Sequence, residues 1–223
     1  MKSFDRPKSL TELVTETLRE WIISGELDLG SQLSEARVAK ELDVSRTPVR
    51  EAINRLEMEG MLVVEPQRGT YVFNLEADEL AKLCDARVCL ETNALTTAIH
   101  AKPEALHARL SDCVNRMKAA RDKGDDSAYL ALDTEFHQHF FDCSDNRFLD
   151  EAYQTIAQKM AAVRNRLGRH PEHMAKSFRE HGVLVQAVAD RDLDTAIATL
   201  RSHIDRKEGS YWEIVTKPAA EQT

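Results

Sequence analysis

Val44-Ser45-Arg46-Thr47-Pro48-Val49-Arg50-Glu51-Ala52-Ile53-Asn54-Arg55-Leu56 is the stretch from which the rest of the chain can be read. Ser45 is a good N-cap residue, and Pro48 falls in the first turn, where a missing N–H costs little. Val49, Ile53 and Leu56 recur at helical spacing and can face a core. Arg46 and Arg50 stand four apart near the helix start, with Thr47 beside Arg46. Side chains so placed can reach guanine edges and phosphates. The alternative is a solvated charged face. The surrounding scaffold favours a helix built to lie in a groove of DNA.

That scaffold runs from about Leu10 to Val72. Leu10, Leu13, Val14, Leu18, Trp21 and Ile22 predict an amphipathic first helix that stops before Gly25. Ser34 opens a short second helix carrying Val38, Ala39 and Leu42. Asp43 and Val44 turn the chain, and the Ser45 helix continues to Gly60. Two short extended runs follow, Met61 to Val64 and Thr70 to Phe73, joined by Glu65-Pro66-Gln67-Arg68-Gly69. Helix, helix, turn, helix and a β-hairpin wing is the winged helix-turn-helix plan. Arg68 is expected at the hairpin tip, near a minor groove or phosphates. Gly69 beside it would permit close backbone approach.

The segment resembles the GntR family of bacterial transcription regulators. The resemblance rests on Gly25-Glu26-Leu27, Leu33-Ser34-Glu35, Val38-Ala39, Leu42 through Ala52, Leu56-Glu57, Gly60 and Arg68-Gly69-Thr70-Tyr71-Val72. The chain has Leu29-Gly30 where the family usually has Pro-Gly. Ten residues before Arg46, where the family often has arginine, it has Ala36, with Arg37 next. The resemblance implies DNA contacts from Arg37, Ser45, Arg46, Thr47, Arg50, Arg68 and Gly69.

Composition sets limits. The 223 residues suffice for two modest domains. Net charge is −8, and the first 75 residues hold 10 Lys+Arg against 13 Asp+Glu. Binding to DNA therefore requires a local basic surface with most acids turned away. Cys84, Cys89, Cys113 and Cys143 show no Cys-x-x-Cys spacing and read as small core residues in a reducing compartment. The polar, mixed-charge start predicts no signal peptide, and no apolar run is long enough for a membrane. The expected location is cytoplasmic.

From about Glu76 the pattern is helical almost throughout, so the fold class is mainly α. The expected division is a winged helix-turn-helix over residues 1–75, an all-helical bundle over 76–215 and a frayed tail over 216–223. Stripes predict helices through Leu80 to Ala98, Pro103 to Gly124, Asp126 to Asp142, Asn146 to Leu167, Glu172 to Ala189 and Leu193 to Trp212.

Polar groups interrupt the apolar stripes of three of these helices. Asp133 and His137 share a stripe with Leu130 and Phe140. His181 shares one with Phe178, Leu184, Val185 and Val188, and His203 with Ile197, Leu200, Ile204 and Tyr211. A buried carboxylate and three buried imidazoles are costly unless paired. One divalent ion would satisfy all four, and three nitrogens with one oxygen suit zinc, nickel, iron or manganese. Separate hydrogen bonds within a helical core would also serve, and spacing alone leaves both readings open. His100, His107, His139, His170 and His173 read as surface or loop residues.

The pattern Asp133-x-x-x-His137, Glu180-His181 and Ser202-His203-Ile204 resembles the FCD ligand-binding domain of the FadR branch of the GntR family. Arg87, Leu90-Glu91 and Ala94 match its first helix. The resemblance implies a divalent metal held by Asp133, His137, His181 and His203, and a six-helix variety of the domain. Arg87, with Glu91 one turn on, could anchor a carboxylate effector bidentately or form an internal pair. Arg164, Asn165 and Arg166 are candidates for a cavity wall, but three successive helical residues cannot all face inward.

The expected partners are a palindromic double-stranded operator, a small organic acid and a second copy of the chain, without a membrane. The expected function is a metabolite-responsive regulator, more readily a repressor, and not an enzyme. The alternatives are a metal-dependent hydrolase, a regulator whose ion only knits helices together, and a regulator that senses the metal itself.

Overall fold

The computed structural model describes residues 8–167 and 171–204. The chain divides after Asn74 into two compact units. The expected helix beyond residue 204, with Tyr211 and Trp212, the tail over 216–223, and His170 lie outside the described residues.

In the first unit, α1 (Leu10–Ser24) opens with a reciprocal cap. The Ser9 hydroxyl accepts from the Glu12 N–H, and the Glu12 carboxylate accepts from the Ser9 N–H at 2.7 Å. Gly25 ends the helix at φ +91°, a left-handed conformation that favours glycine. After β1 (Gln32–Leu33), α2 (Glu35–Glu41) is capped by Ser34, whose side chain accepts from the Arg37 N–H. Then α3 (Arg46–Met58) buries Pro48, Val49, Ala52, Ile53 and Leu56 and packs on α1 and α2. From α1 comes a buried row of Val14, Leu18 and Ile22. Each fully buried aliphatic side chain contributes about 1.5–3 kcal/mol. Ser45 is the N-cap by position, but its side chain makes no capping hydrogen bond.

The wing consists of β2 (Leu62–Glu65) and β3 (Gly69–Val72). The sequence predicts a two-stranded hairpin, whereas the sheet has three strands in the order β1-β3-β2, all antiparallel. The added strand pairs Gln32 with Tyr71 and Leu33 with Thr70. Two residues are too few to display an alternation, so β1 left no readable pattern.

The second unit is built of α4 (Ala77–Ala101), α5 (Pro103–Asp122), α6 (Asp126–Ser144), α7 (Arg147–Leu167), α8 (Pro171–Asp190) and α9 (Leu193–Ile204). The first of these begins three residues before the expected start, because the Glu79 carboxylate accepts the Glu76 N–H and extends the first turn. Asp125 caps α6 by accepting from the Ala128 N–H at 2.9 Å. Within the unit α6 packs on α4, α5 and α7, α8 on α5, and α9 on α4 and α8. Leu95, Leu106, Leu110, Met117, Phe136, Phe140, Met160, Leu184 and Leu200 are fully buried.

Two readings need correction. His107, His139 and His173, expected at the surface, are half-buried. Cys89, expected in the core, is exposed, while Cys84, Cys113 and Cys143 are buried. Among the described residues no helix is long and apolar enough to cross a membrane.

Candidate metal centre and nucleic-acid face

Helix α6 presents Asp133 and His137 one turn apart on its buried face, since residues four apart lie one above the other. His181 comes from α8 and His203 from the last turn of α9. One ligand atom from each of the four converges, all within 4.8 Å of one another. The site lies in an apolar setting: the Phe136 ring is 4.2 Å from the His181 ring, and Phe140 meets His137 edge-on.

Buried polar atoms here lack partners. Neither ring nitrogen of His181 has a hydrogen bond, and Nε2 lies 3.5 Å from Asp133 Oδ1. His203 Nδ1 is hydrogen-bonded to Glu180 Oε2 at 3.0 Å. His137 Nδ1 lies 2.7 Å from Glu91 Oε2, though poorly aligned for a hydrogen bond. Nε2 of His137 and Nε2 of His203 lie 3.2 Å apart, a hydrogen bond when one of them carries the proton. With both protons on Nδ1, the two Nε2 lone pairs would face one another and a cation could take them both. Converging nitrogens, an unpartnered imidazole and a carboxylate fit a divalent ion with three nitrogens and one oxygen.

Electrostatics favour the same occupant. Burial pushes the Asp133 carboxyl up, but Arg164, then His137, His181 and His203, hold it well below the usual carboxylate range. Burial pushes His181 down to about 3, with a further contribution from His203. His137 is likewise driven well below 6.5, by burial first and Arg87 second. Neutral imidazoles and an ionised carboxylate are the forms that ligate a metal.

Several residues of this region could not be read from spacing. Arg164 is the member of Arg164-Asn165-Arg166 most fully buried; its Nη1 lies 3.0 Å from Asp133 Oδ2 and donates to Thr134 Oγ1. Ser177 donates to Asp133 Oδ1 at 3.3 Å. Glu91 and Glu180 belong to the same cluster. Only the helical period of Glu91 signalled that it faces inward. His173, half-buried on α8, is pushed down to about 4, by burial first and His203 second.

Arg87 is 4 % exposed and donates through Nε to Glu91 Oε1, so the internal pair exists. Its Nη2 has no partner, which leaves a donor for an anion.

On the first unit, Arg37, Ser45, Arg46, Thr47, Arg50 and Arg68 are all exposed. Arg46, Thr47 and Arg50 are exposed residues in the first turns of α3, off its buried row. Two acids are turned toward α1: Glu51 accepts from Thr11 and Glu59 from Arg19. Glu35 instead lies 3.2 Å from the Arg50 guanidinium. Arg68 sits between β2 and β3 and pairs with Glu65 at 2.7 Å. At Gly69, φ is +128°, and a Cβ would come 2.7 Å from Gln32 Nε2. That amide donates to Arg68 O, so the glycine accommodates β1 as well as any outside partner.

Comparison with known proteins gives matches to both units. The profile of bacterial regulatory proteins of the gntR family matches residues 10–72, and that of the FCD domain matches 82–206. The Nta operon transcriptional regulator of Aminobacter aminovorans is 30% identical, over 83% of this chain and 87% of the relative. The gluconate operon transcriptional repressor of Bacillus subtilis (strain 168) is 28% identical, over 86% and 81%. The solved structure of E. coli McbR/YncC superposes with a TM-score of 0.76 at 24% identity, covering 89% of this chain and 94% of that one, which shows a shared fold.

Proposed function

Because the chain belongs to the GntR family of bacterial regulatory proteins and carries an FCD domain, we propose that it is a cytoplasmic, homodimeric repressor controlled by a divalent metal and a small carboxylate. Members of this family are transcription regulators, not enzymes, which removes the hydrolase alternative. The observation that carries the metal assignment is the convergence of Asp133, His137, His181 and His203 within 4.8 Å around unpartnered nitrogens. The ion would supply a positive charge and an open coordination position for the acid.

The chain's own residues do the rest. Arg164 holds Asp133 ionised and oriented. Arg87 offers its free Nη2 to the effector's carboxylate. In the first unit Arg46 and Arg50 read base edges, while Arg37, Ser45, Thr47 and Arg68 engage the backbone and Gly69 lets the wing tip approach closely. Two copies address two half-sites of a palindromic operator. The effector shifts operator occupancy only as far as its affinity differs between the bound and free forms.

Elemental analysis of the purified protein, joined to operator binding before and after removal of metal, tests this. About one divalent ion per chain and operator affinity that responds to added organic acids are expected. Absence of bound ion after reconstitution would remove the metal assignment. A response to metal alone, with every acid inert, would make the ion itself the signal.

A further inference from the structure

We infer that Glu180 is a positioning residue of the cation site, holding the His203 imidazole by Nδ1 so that its Nε2 is committed to the ion, whereas Glu91 stands beside His137 without an aligned hydrogen bond. The inference rests on the metal reading proposed above. Glu180 Oε2 is hydrogen-bonded to His203 Nδ1 at 3.0 Å, and Glu91 Oε2 stands 2.7 Å from His137 Nδ1. An imidazole that donates from Nδ1 has its lone pair on Nε2, and the acceptor's charge makes that nitrogen a stronger donor to metal. The Nε2 of His203 so oriented lies 3.2 Å from Nε2 of His137. His181 has no such partner and is oriented by packing against Phe136.

The two carboxylates differ in what they tie together. Glu91 is fully buried and shares its other oxygen with Arg87. Its removal would strand a buried guanidinium and endanger the fold. Glu180 is half-buried, and its other oxygen lies 3.3 Å from Nζ of the half-exposed Lys176. Lys176, Glu180 and His203 thus form a line from solvent to the cation site, and its outer part can be altered without leaving a charge in the core.

The test uses the full-length protein, zinc alone as the probe, and competition with a chromophoric chelator. Glu180→Ala is expected to weaken zinc binding by about tenfold to a hundredfold. Glu180→Gln, whose amide oxygen accepts the same hydrogen, should lose less. The metal-free melting temperature should be unchanged in both, and the cobalt-substituted visible spectrum should shift. Wild-type zinc affinity in Glu180→Ala would overturn the inference while leaving the metal reading intact. So would a loss matched by a fall in metal-free melting temperature. Failure of the wild-type protein itself to bind zinc or cobalt would defeat the metal reading and this inference with it.

Discussion

Nε2 of His137 on α6 and Nε2 of His203 on α9 face one another across 3.2 Å, in a core where each ring's other nitrogen is turned to a carboxylate. Residues 66 apart in the chain bring two imidazole nitrogens to one point. The packing of α9 on α4 and α8, and of α6 on α4, has to sustain that arrangement. A cation bound there, as proposed, would tie α6 and α9 together.

His181→Ala removes a buried imidazole whose nitrogens have no hydrogen bond. Metal content should fall well below one ion per chain, and the melting temperature of the metal-loaded protein should fall with it. Elemental analysis and thermal melts of the same preparation check this. A variant that still carries a full equivalent would take His181 off the ligand set.

Arg164→Met deprives buried Asp133 of its guanidinium partner. Breaking such a pair by removing one member costs about 3–5 kcal/mol. The loss should appear in denaturant unfolding with chelator present and shrink with saturating zinc, because the ion then compensates the carboxylate. Equal losses with and without zinc would separate Arg164 from the metal site.

Acid should destabilise the metal-free protein. His181 is depressed to about 3 and His173 to about 4, against about 6.5 when unfolded. Below pH 6.5 the unfolded chain takes up protons that the folded core refuses, so stability falls as pH drops from 6.5 toward 3. Above 6.5 these groups contribute no pH dependence. Chelator-treated melts between pH 8 and pH 5 should therefore be flat and then decline. A melting temperature that rose on acidification would contradict the buried, neutral assignment.

Arg50→Ala should weaken operator binding on the order of tenfold to a hundredfold and relax base preference at one position per half-site. The Arg50–Glu35 contact is exposed, so its opening on DNA costs little. Binding to an operator series with single base changes reads both effects. An unchanged profile would show that Arg50 does not read a base.

The sequence by itself determined the core side of α3 and the inward side of the helices bearing the Asp/His cluster, because that information is local. Val49, Ile53 and Leu56 repeat at the helical period and mark the core side of α3, leaving Arg46 and Arg50 outside. The same period turns Asp133, His137, His181 and His203 inward. Partners across helices were a different matter. That Arg164 reaches Asp133, that Glu180 reaches His203, and that Glu91 stands between Arg87 and His137 depends on how far each helix slides and rotates against its neighbours. Those offsets arise from the fit of whole side-chain surfaces distant in sequence, and no local period encodes them. Strand β1 and the crowding of Gly69 by Gln32 belong to the same class, since a two-residue strand exists only through the edge it pairs with.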